Sequence, residues 1–479
     1  MIESNAILQL ETANATIVSQ SQQIAVLGGE VVSLGDKVMS LESENESLKA
    51  KMALLLDIIQ KTGIKKDSHN SSLPPSSDLF TPKTKSLRPA SVLKNGGQLG
   101  HKGTTLEMSA TPDTIYELKS NYCSHCQGSL SDGFFVLKAK RQVIEIPPIV
   151  PLYEEYRQYG CVCPHCQHEQ VADFPLGVNA PIQYGSSVEG LVSYLSVAQY
   201  IPFGRIQTLF TQVFSLPLSQ GTVGNILERT ALKCQGVYEQ IKTQITESQV
   251  VGSDETGAKV NGDKWWIWVW QTICCTFLVA SKSRGADTIE MVWADKLANL
   301  ILITDRWGAQ LKAALRGRQI CLAHLLRNII FLDESEKHPF ATQFKQLMID
   351  VFSIRKQLLQ LNMPYQIDQE EAKTIEKRLN DLLLISIDKE KYPLTLTFQA
   401  SMIKHRNHLL PCLYNLDIPP DNNGSERAIR NVKVKQKVSG QFKTGQHAFC
   451  VIRSIIDTLR KKGVEVLPCL IQIIKLQPV

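Results

Sequence analysis

Near the start of the chain apolar residues recur at every seventh position: Leu27, Leu34, Leu41, Leu48 and Leu55. Three positions before each stand Ile24, Val31, Val38, Asn45 and Met52. This is a heptad with β-branched residues at a and leucine at d, the choice that favours two parallel strands, and Asn45 is an a-position amide that fixes register and dimer state. Lys37 at g would face Glu42 at e of a partner helix, and Glu44 would face Lys49. Residues 1–60 are therefore expected to form a homodimerising coiled coil, with fraying in its first half around Gly28, Gly29 and Gly35.

From residue 61 the periodicity is lost. Residues 61–115, with NSSLPPSSD at 70–78 and then TPKTKSLRP and GGQLGHKG, read as a flexible basic linker that cannot bury enough surface to order itself. Residues 116–180 carry the pairs Cys123/Cys126 and Cys163/Cys166, separated by strand-like text, RQVIEIPPIVPLYEEYRQY. Over 181–245, IPFGRIQTLFTQVFSLPLSQGTVGNILERTA predicts two short amphipathic helices broken at Leu216-Pro217-Leu218, the second capped by Ser219: a helix-turn-helix-like, DNA-binding segment.

At residue 249 the pattern changes to strands. QVVGSDETGAKV, the turn signal Asn261-Gly262, KWWIWVWQ and CCTFLVA predict a three-stranded meander. ADTIEMVWADKL is helical by spacing, NLILITD is a short buried strand ending at Asp305, and QICLAHLLRNII is a fifth strand running into a helix. Helical text interrupts the pattern over about 331–415, and DNNGSERAIR then opens another helix, with Asp421, Asn422 or Asn423 available to cap it. Residues 246–445 thus have the element order of an RNase H-like domain with a helical insertion, followed by a helical segment at 446–479. The expected class is multidomain α/β. In that fold the first and fourth strands are neighbours, so Asp254 and Asp305 converge and Glu426 on the late helix supplies a third acid.

Composition sharpens this picture at a few points. With 479 residues, 43% hydrophobic and 20% charged, the chain is globular and too long for one core. The net charge of +6 is unevenly placed: residues 61–102 hold eight Lys or Arg against two acids, and 421–465 hold ten against four. Two such stretches point to a polyanion partner. There is no basic-then-apolar leader and no apolar run near the ~18 residues of a membrane span, so the expected location is cytoplasmic, with no membrane partner. Twelve cysteines in a reducing compartment argue for metal ligands and buried thiols over disulfides. Two C-x-x-C knuckles supply four thiolates, Cys123, Cys126, Cys163 and Cys166, for a structural Zn2+, with Cys161 either spare or taking the place of Cys163.

The acids carry the chemistry. Magnesium is a hard ion that binds carboxylates and substrate phosphates while keeping waters. Two such ions (Mg2+ or Mn2+) roughly 4 Å apart serve both ends of an in-line phosphodiester displacement, so three carboxylates suffice without a covalent nucleophile. Glu426 and Arg430 are also spaced as an ordinary i,i+4 surface pair. The upstream acids and the basic run behind Glu426 (Arg427, Arg430, Lys433, Lys435 and Lys437, suited to seating a DNA backbone) favour the ligand reading. Glu255 is expected on the opposite strand face, and Asp421 in the loop. The rival reading is a DNA-binding regulator with an inactive centre; a glycosidase is disfavoured by the basic surroundings.

These residues resemble the DDE transposases of the insertion sequence 66 family over nearly the whole chain. The resemblance is carried by the zipper, NSSLPPSSD, GGQLGHKG, the cysteine knuckles, IPFGRIQTLF, SDET, TDRWGAQ, CLAHLLRN and DNNGSERAIR, in that order. It implies metal-dependent cleavage and strand transfer at the terminal inverted repeats of a bacterial mobile element and into target DNA. Asp254, Asp305 and Glu426 would be the metal-binding triad. His324 and Arg327 of CLAHLLRN, and Asn423 of the asparagine pair, would lie at the DNA or active site. Partners implied are DNA, a second copy or higher oligomer, and accessory proteins of the same element, in a nucleoid-associated setting. The sequence departs from the family at LPPSSD, where a basic residue often precedes the prolines, and at the extra Cys161.

Overall fold

The computed structural model describes residues 2–62, 100, 106–294, 296–306, 308–360 and 369–476. NSSLPPSSD and nearly all of GGQLGHKG, and with them the linker expectation, lie outside the described residues.

Helix α1 (Ile2–Thr62) runs without a break. Gly28, Gly29 and Gly35 lie inside it, each costing about 1 kcal/mol relative to alanine. Leu27, Leu34, Leu41 and Leu48 are all more than half exposed on the single chain. Further on, strands β1 (Gly160–Val162) and β2 (Glu169–Val171) make a small antiparallel hairpin in which Cys161 lies opposite Gln170. The strand-like text before it joins no sheet. Pro147, Pro148 and Pro151 remove the N–H donors that a ladder there would need.

Helices α2 (Ser186–Ser193), α3 (Phe203–Phe214), α4 (Gln220–Lys233) and α5 (Gln235–Glu247) follow. The Ser219 hydroxyl accepts the Thr222 N–H at 3.0 Å and caps α4. Val192, Ile206, Phe210, Val223 and Ile226 form the core that packs α2, α3 and α4 together.

Strands β3 (Val250–Val260), β4 (Asp263–Gln271) and β5 (Thr276–Ser281) make the meander. Its first turn has Asn261 and Gly262 both at positive φ, as a type I′ hairpin requires. Then come α6 (Ala286–Trp293), β6 (Ile301–Thr304), α7 (Gly308–Lys312) and β7 (Gly317–Ile320). The sheet order is β5-β4-β3-β6-β7, with β3 antiparallel to β4 and parallel to β6. The first and fourth strands of the domain are therefore neighbours.

The remaining helices are α8 (Leu322–Ser335), α9 (Pro339–Gln360), α10 (Gln369–Leu383), α11 (Pro393–Lys404), α12 (Pro411–Tyr414), α13 (Asn423–Ser439), α14 (Gln446–Lys461) and α15 (Val466–Leu476). Two compact units result, one of Met1–Lys83 and Leu322–Leu416, the other of Thr84–Cys321 and Asp417–Val479. The helical unit begins at Leu322, earlier than the expected insertion start, because α8 packs on α9. Within it the Glu336 carboxylate accepts the Leu394 and Thr395 N–H groups at 2.9 and 2.8 Å, capping α11.

In the second unit the two sheet faces bury different cores. Val251, Trp268 and Trp270 join Tyr238 of α5 and Trp293 of α6. Ala258, Ile267 and Val269 join Ala428, Ile429 and Val432 of α13. Helix α14 contributes to both, because it covers the outer edge of β5. The Thr276 and Leu278 N–H groups donate to the Thr458 and Ser454 hydroxyls at 3.1 and 2.9 Å. An edge strand whose free donors are occupied by a helix is protected against pairing with another chain.

Candidate active site

Parallel pairing brings the two strand acids into one region. Gly252 lies opposite Ile303 at the end of the β3–β6 ladder, Asp254 follows two residues later on β3, and Asp305 stands directly after β6, which ends at Thr304 while β3 runs on to Val260. The charge of Asp305 acts on both Asp254 and Glu255, at the carboxyl end of a parallel strand, where open α/β sheets place their ligands.

The third acid arrives through α13. Asp254 shares a strand face with Gly252, whose missing side chain is what lets α13 come close: a Cβ there would lie 2.7 Å from Ser425 Oγ and 2.9 Å from Asn422 Oδ1. Asn422 is 2% exposed and Ser425 fully buried. Asn422 Nδ2 donates to the Ser253 carbonyl at 2.7 Å, and Ser425 Oγ donates to Asn422 Oδ1 at 2.6 Å. Asn422 thus occupies the N-cap position yet spends its side chain on pinning the helix to β3, while Asp421 accepts the Asn423 N–H at 3.0 Å. Cys321 Sγ, at the end of β7, accepts the Asn422 N–H at 3.2 Å. Glu426 lies in the first turn of this helix, a position the helix dipole favours for an anion.

The electrostatics agree with convergence. Burial, then the charges of Asp305 and Glu255, push Asp254 well above the ordinary carboxylate range, and Glu426 adds to the push; the Glu255 N–H on its Oδ1 (2.9 Å) works the other way. Like charges crowded together in a buried setting fit a hard divalent cation. The oxygens of the three acids do not all approach within 4.8 Å of one another. Glu255 is 7% exposed and sits on the other face. There Arg284 holds it at 2.8 Å, and Gln310 donates to it at 2.7 Å. Burial and Asp305 raise its pKa while Arg284 and Gln310 oppose them.

The other expected site residues are distributed as follows. Arg427, Arg430 and Lys437 are exposed along α13. Lys433 Nζ donates to the Gly257 carbonyl at 3.0 Å, and Lys435 lies 4.8 Å over the Phe442 ring. Burial lowers the pKa of both lysines. Asn423 is half-buried. His324 and Arg327 stand one turn apart on α8, both half-buried, in the helical unit and not in the unit that carries the three acids.

The two cysteine knuckles share one local geometry. Cys123 accepts N–H bonds from Cys126 and His125, and Cys163 from Cys166 and His165, which lowers both thiol pKa values. Gln127 and Gln167 then take positive φ (59° and 62°), and their N–H groups bond back to the Cys123 and Cys163 carbonyls at 2.9 Å. Cys161 lies in β1 outside the knuckle. Among the described residues, the four knuckle sulfurs do not all lie within 4.8 Å of one another.

Sequence reasoning missed Gly252 and Ser425, and read Asn422 only as a candidate cap. The available signal was a glycine inside a strand pattern, two residues before the acid, which marks close approach of another backbone.

The mixed five-stranded sheet with α13 docked on it belongs, by the family match, to an enzyme of the polynucleotidyl-transferase type. The chain belongs to the Transposase IS66 family, whose model matches residues 181–449. Among solved structures, the HTLV-2 integrase catalytic core domain in complex with magnesium (trimeric form) aligns at 15% identity over 30% of this chain and 90% of that one, with a TM-score of 0.12 that carries no weight for the fold. No curated protein matches the chain. No helix among the described residues is long and apolar enough to cross a membrane.

Proposed function

We propose that this transposase binds the ends of its mobile element and, using Mg2+ or Mn2+ held by Asp254, Asp305 and Glu426, cuts DNA and joins the freed ends to target DNA. The observation that carries the reading is the parallel pairing of β3, which bears Asp254, with β6, which Asp305 directly follows, with the first turn of α13 docked on the Asp254 face of β3. The strand order, three antiparallel strands followed by two parallel to the first, supports an RNase H-like core. When bound, the divalent ions would supply the positive charge that activates an attacking hydroxyl and stabilises the departing oxygen. The protein's own part is positional. Ser253 and Gly252 seat α13, Asn422 locks it, and the exposed Arg427, Arg430 and Lys437 lie where phosphates entering along the helix would be neutralised. Helices α3 and α4 are the proposed helix-turn-helix-like contact with the element ends. Labelled end DNA incubated with purified protein should be nicked and joined with magnesium and left intact with EDTA; equal activity in EDTA would sink the assignment.

The knuckle geometry supports structural zinc on Cys123, Cys126, Cys163 and Cys166. Since a thiolate that accepts two backbone N–H groups is prepared for a soft cation, Cys163→Ser is expected to release zinc into a chromogenic chelator while Cys161→Ser retains it. The reverse pattern would transfer the ligand role to Cys161.

The a and d positions exposed between Ile24 and Met52 of α1 support a parallel homodimer through Leu27, Leu34, Leu41, Asn45 and Leu48, with Leu55 continuing the heptad of the sequence. Lysines at both Leu34 and Leu41 should yield monomers in sedimentation equilibrium; a dimer of unchanged affinity would place the interface elsewhere.

A further inference from the structure

Behind the docked end of α13 lies a contact that the triad does not use. Gln271, the last residue of β4, pairs across the ladder with Gly252, so its side chain rises on the face that carries α13. A Cβ on Gly252 would stand 2.6 Å from Gln271 Nε2, and a Cβ on Gly424 would stand 2.5 Å from the same atom. The amide therefore fills the space that two glycines leave, one on the strand that bears Asp254 and one two residues before Glu426. Its orientation is set from the far side. Lys461, the final residue of α14, donates to Gln271 Oε1 at 2.7 Å, and to the Thr272 and Cys275 carbonyls at 2.6 and 2.9 Å. Three oxygens around one ammonium group fix the Gln271 oxygen toward Lys461 and so turn its nitrogen toward the glycines. Burial brings the Lys461 pKa down to about 8, which leaves the side chain charged at neutral pH.

We infer that Gln271, oriented by Lys461, is a positioning wedge between β3 and α13 that sets the depth of the helix and hence the reach of Glu426 toward the Asp254–Asp305 pair. The inference rests on the reading of Glu426 as a metal ligand. Lys461 and Gln271 touch neither substrate nor metal in this account; they act through the two glycines. Gly252 and Gly424 are required for the same reason, since a methyl group on either would occupy the place of the amide.

The test is Mn2+ binding to the full-length protein, followed by electron paramagnetic resonance, with thermal melts run in parallel. Gly424→Ala is expected to weaken Mn2+ binding about 10-fold or more, the scale seen when partners behind metal ligands are lost. Gln271→Ala, which only removes atoms, is expected to weaken it as well and keeps the test available if Gly424→Ala does not fold. Combining the two should bind Mn2+ more tightly than Gly424→Ala alone, because the added methyl then enters vacated space; such sign-reversing coupling is the mark of direct contact. Lys461→Met should reproduce the Gln271→Ala loss without adding to it in combination. A purely structural role would lower the melting temperatures and leave the Mn2+ affinity of the folded fraction at the wild-type value, and that result would overturn the wedge. The controls Asp305→Asn and Glu426→Gln separate the two levels. If they lose Mn2+ while Gly424→Ala and Gln271→Ala keep it, the wedge fails and the triad stands; if Glu426→Gln binds Mn2+ like the wild type, the triad reading fails first.

Discussion

Asp305→Asn and Glu426→Gln are each expected to abolish nicking and joining of element ends while leaving binding to those ends intact. Each change keeps the size and shape of the side chain and removes a charge. Divalent ions contribute several kcal/mol of charge stabilisation in such chemistry, so losing a ligand should cost on the order of 10³-fold or more in rate. Binding is retained because the proposed end-recognition helices, α3 and α4, are elements separate from the acids, and α13 keeps Arg427, Arg430 and Lys437 exposed. Purified variants assayed on labelled ends, with mobility shifts run beside cleavage gels, check both halves. Wild-type joining by either variant would remove that acid from the site.

In the absence of metal, Asp254→Asn is expected to stabilise the protein. Burial first, then Asp305 and Glu255, hold the Asp254 carboxyl well above its ordinary value. A carboxyl whose pKa is higher in the folded state contributes stability that is fully present below the unfolded value, about 4. That contribution is lost as pH rises through the raised folded value. The metal-free wild type should therefore lose stability from mildly acidic to neutral pH, and the variant should lose less. At neutral pH in EDTA the variant should melt higher, at roughly 2–4 °C for each kcal/mol recovered in a domain of this size. Magnesium should raise the wild-type melting temperature and leave the variant unmoved. A variant that melts lower than the wild type in EDTA would mean that Asp254 is held by favourable partners and is not crowded by its neighbours.

Much of the catalytic unit was legible because its signals are local. The apolar run of KWWIWVWQ, the Asn261-Gly262 turn and the capped break before Gln220 each depend on a few consecutive residues, and each appears where the pattern puts it. The strand acids were legible for a related reason: Asp254 and Asp305 each follow a short apolar run, although β3 continues past Asp254 to Val260. Where local text met a non-local requirement, reading failed. RQVIEIPPIVPLYEEYRQY has the composition of strands but joins no sheet. The helical unit claims α8, whose text continues directly from β7. Asn422 has the chemistry of a cap, yet its side chain goes to the Ser253 carbonyl, 169 residues away.

The sequence by itself determined which segments form strands and helices, where the chain turns, the zipper heptad, both cysteine knuckles, and that Asp254 and Glu255 point to opposite faces of one strand. These follow from near-neighbour sterics and side-chain periodicity. Tertiary structure alone decided what each face meets. Asp254 faces α13 and Glu255 turns to Arg284, and the depth of α13 is set where Gly252, Gly424 and Gln271 pack together. The β5 edge is closed by hydroxyls of α14, 176 and 182 residues further along. Such contacts form when remote segments pack at van der Waals distance, and a one-dimensional pattern holds no record of which remote residue will fill the space left by a missing side chain.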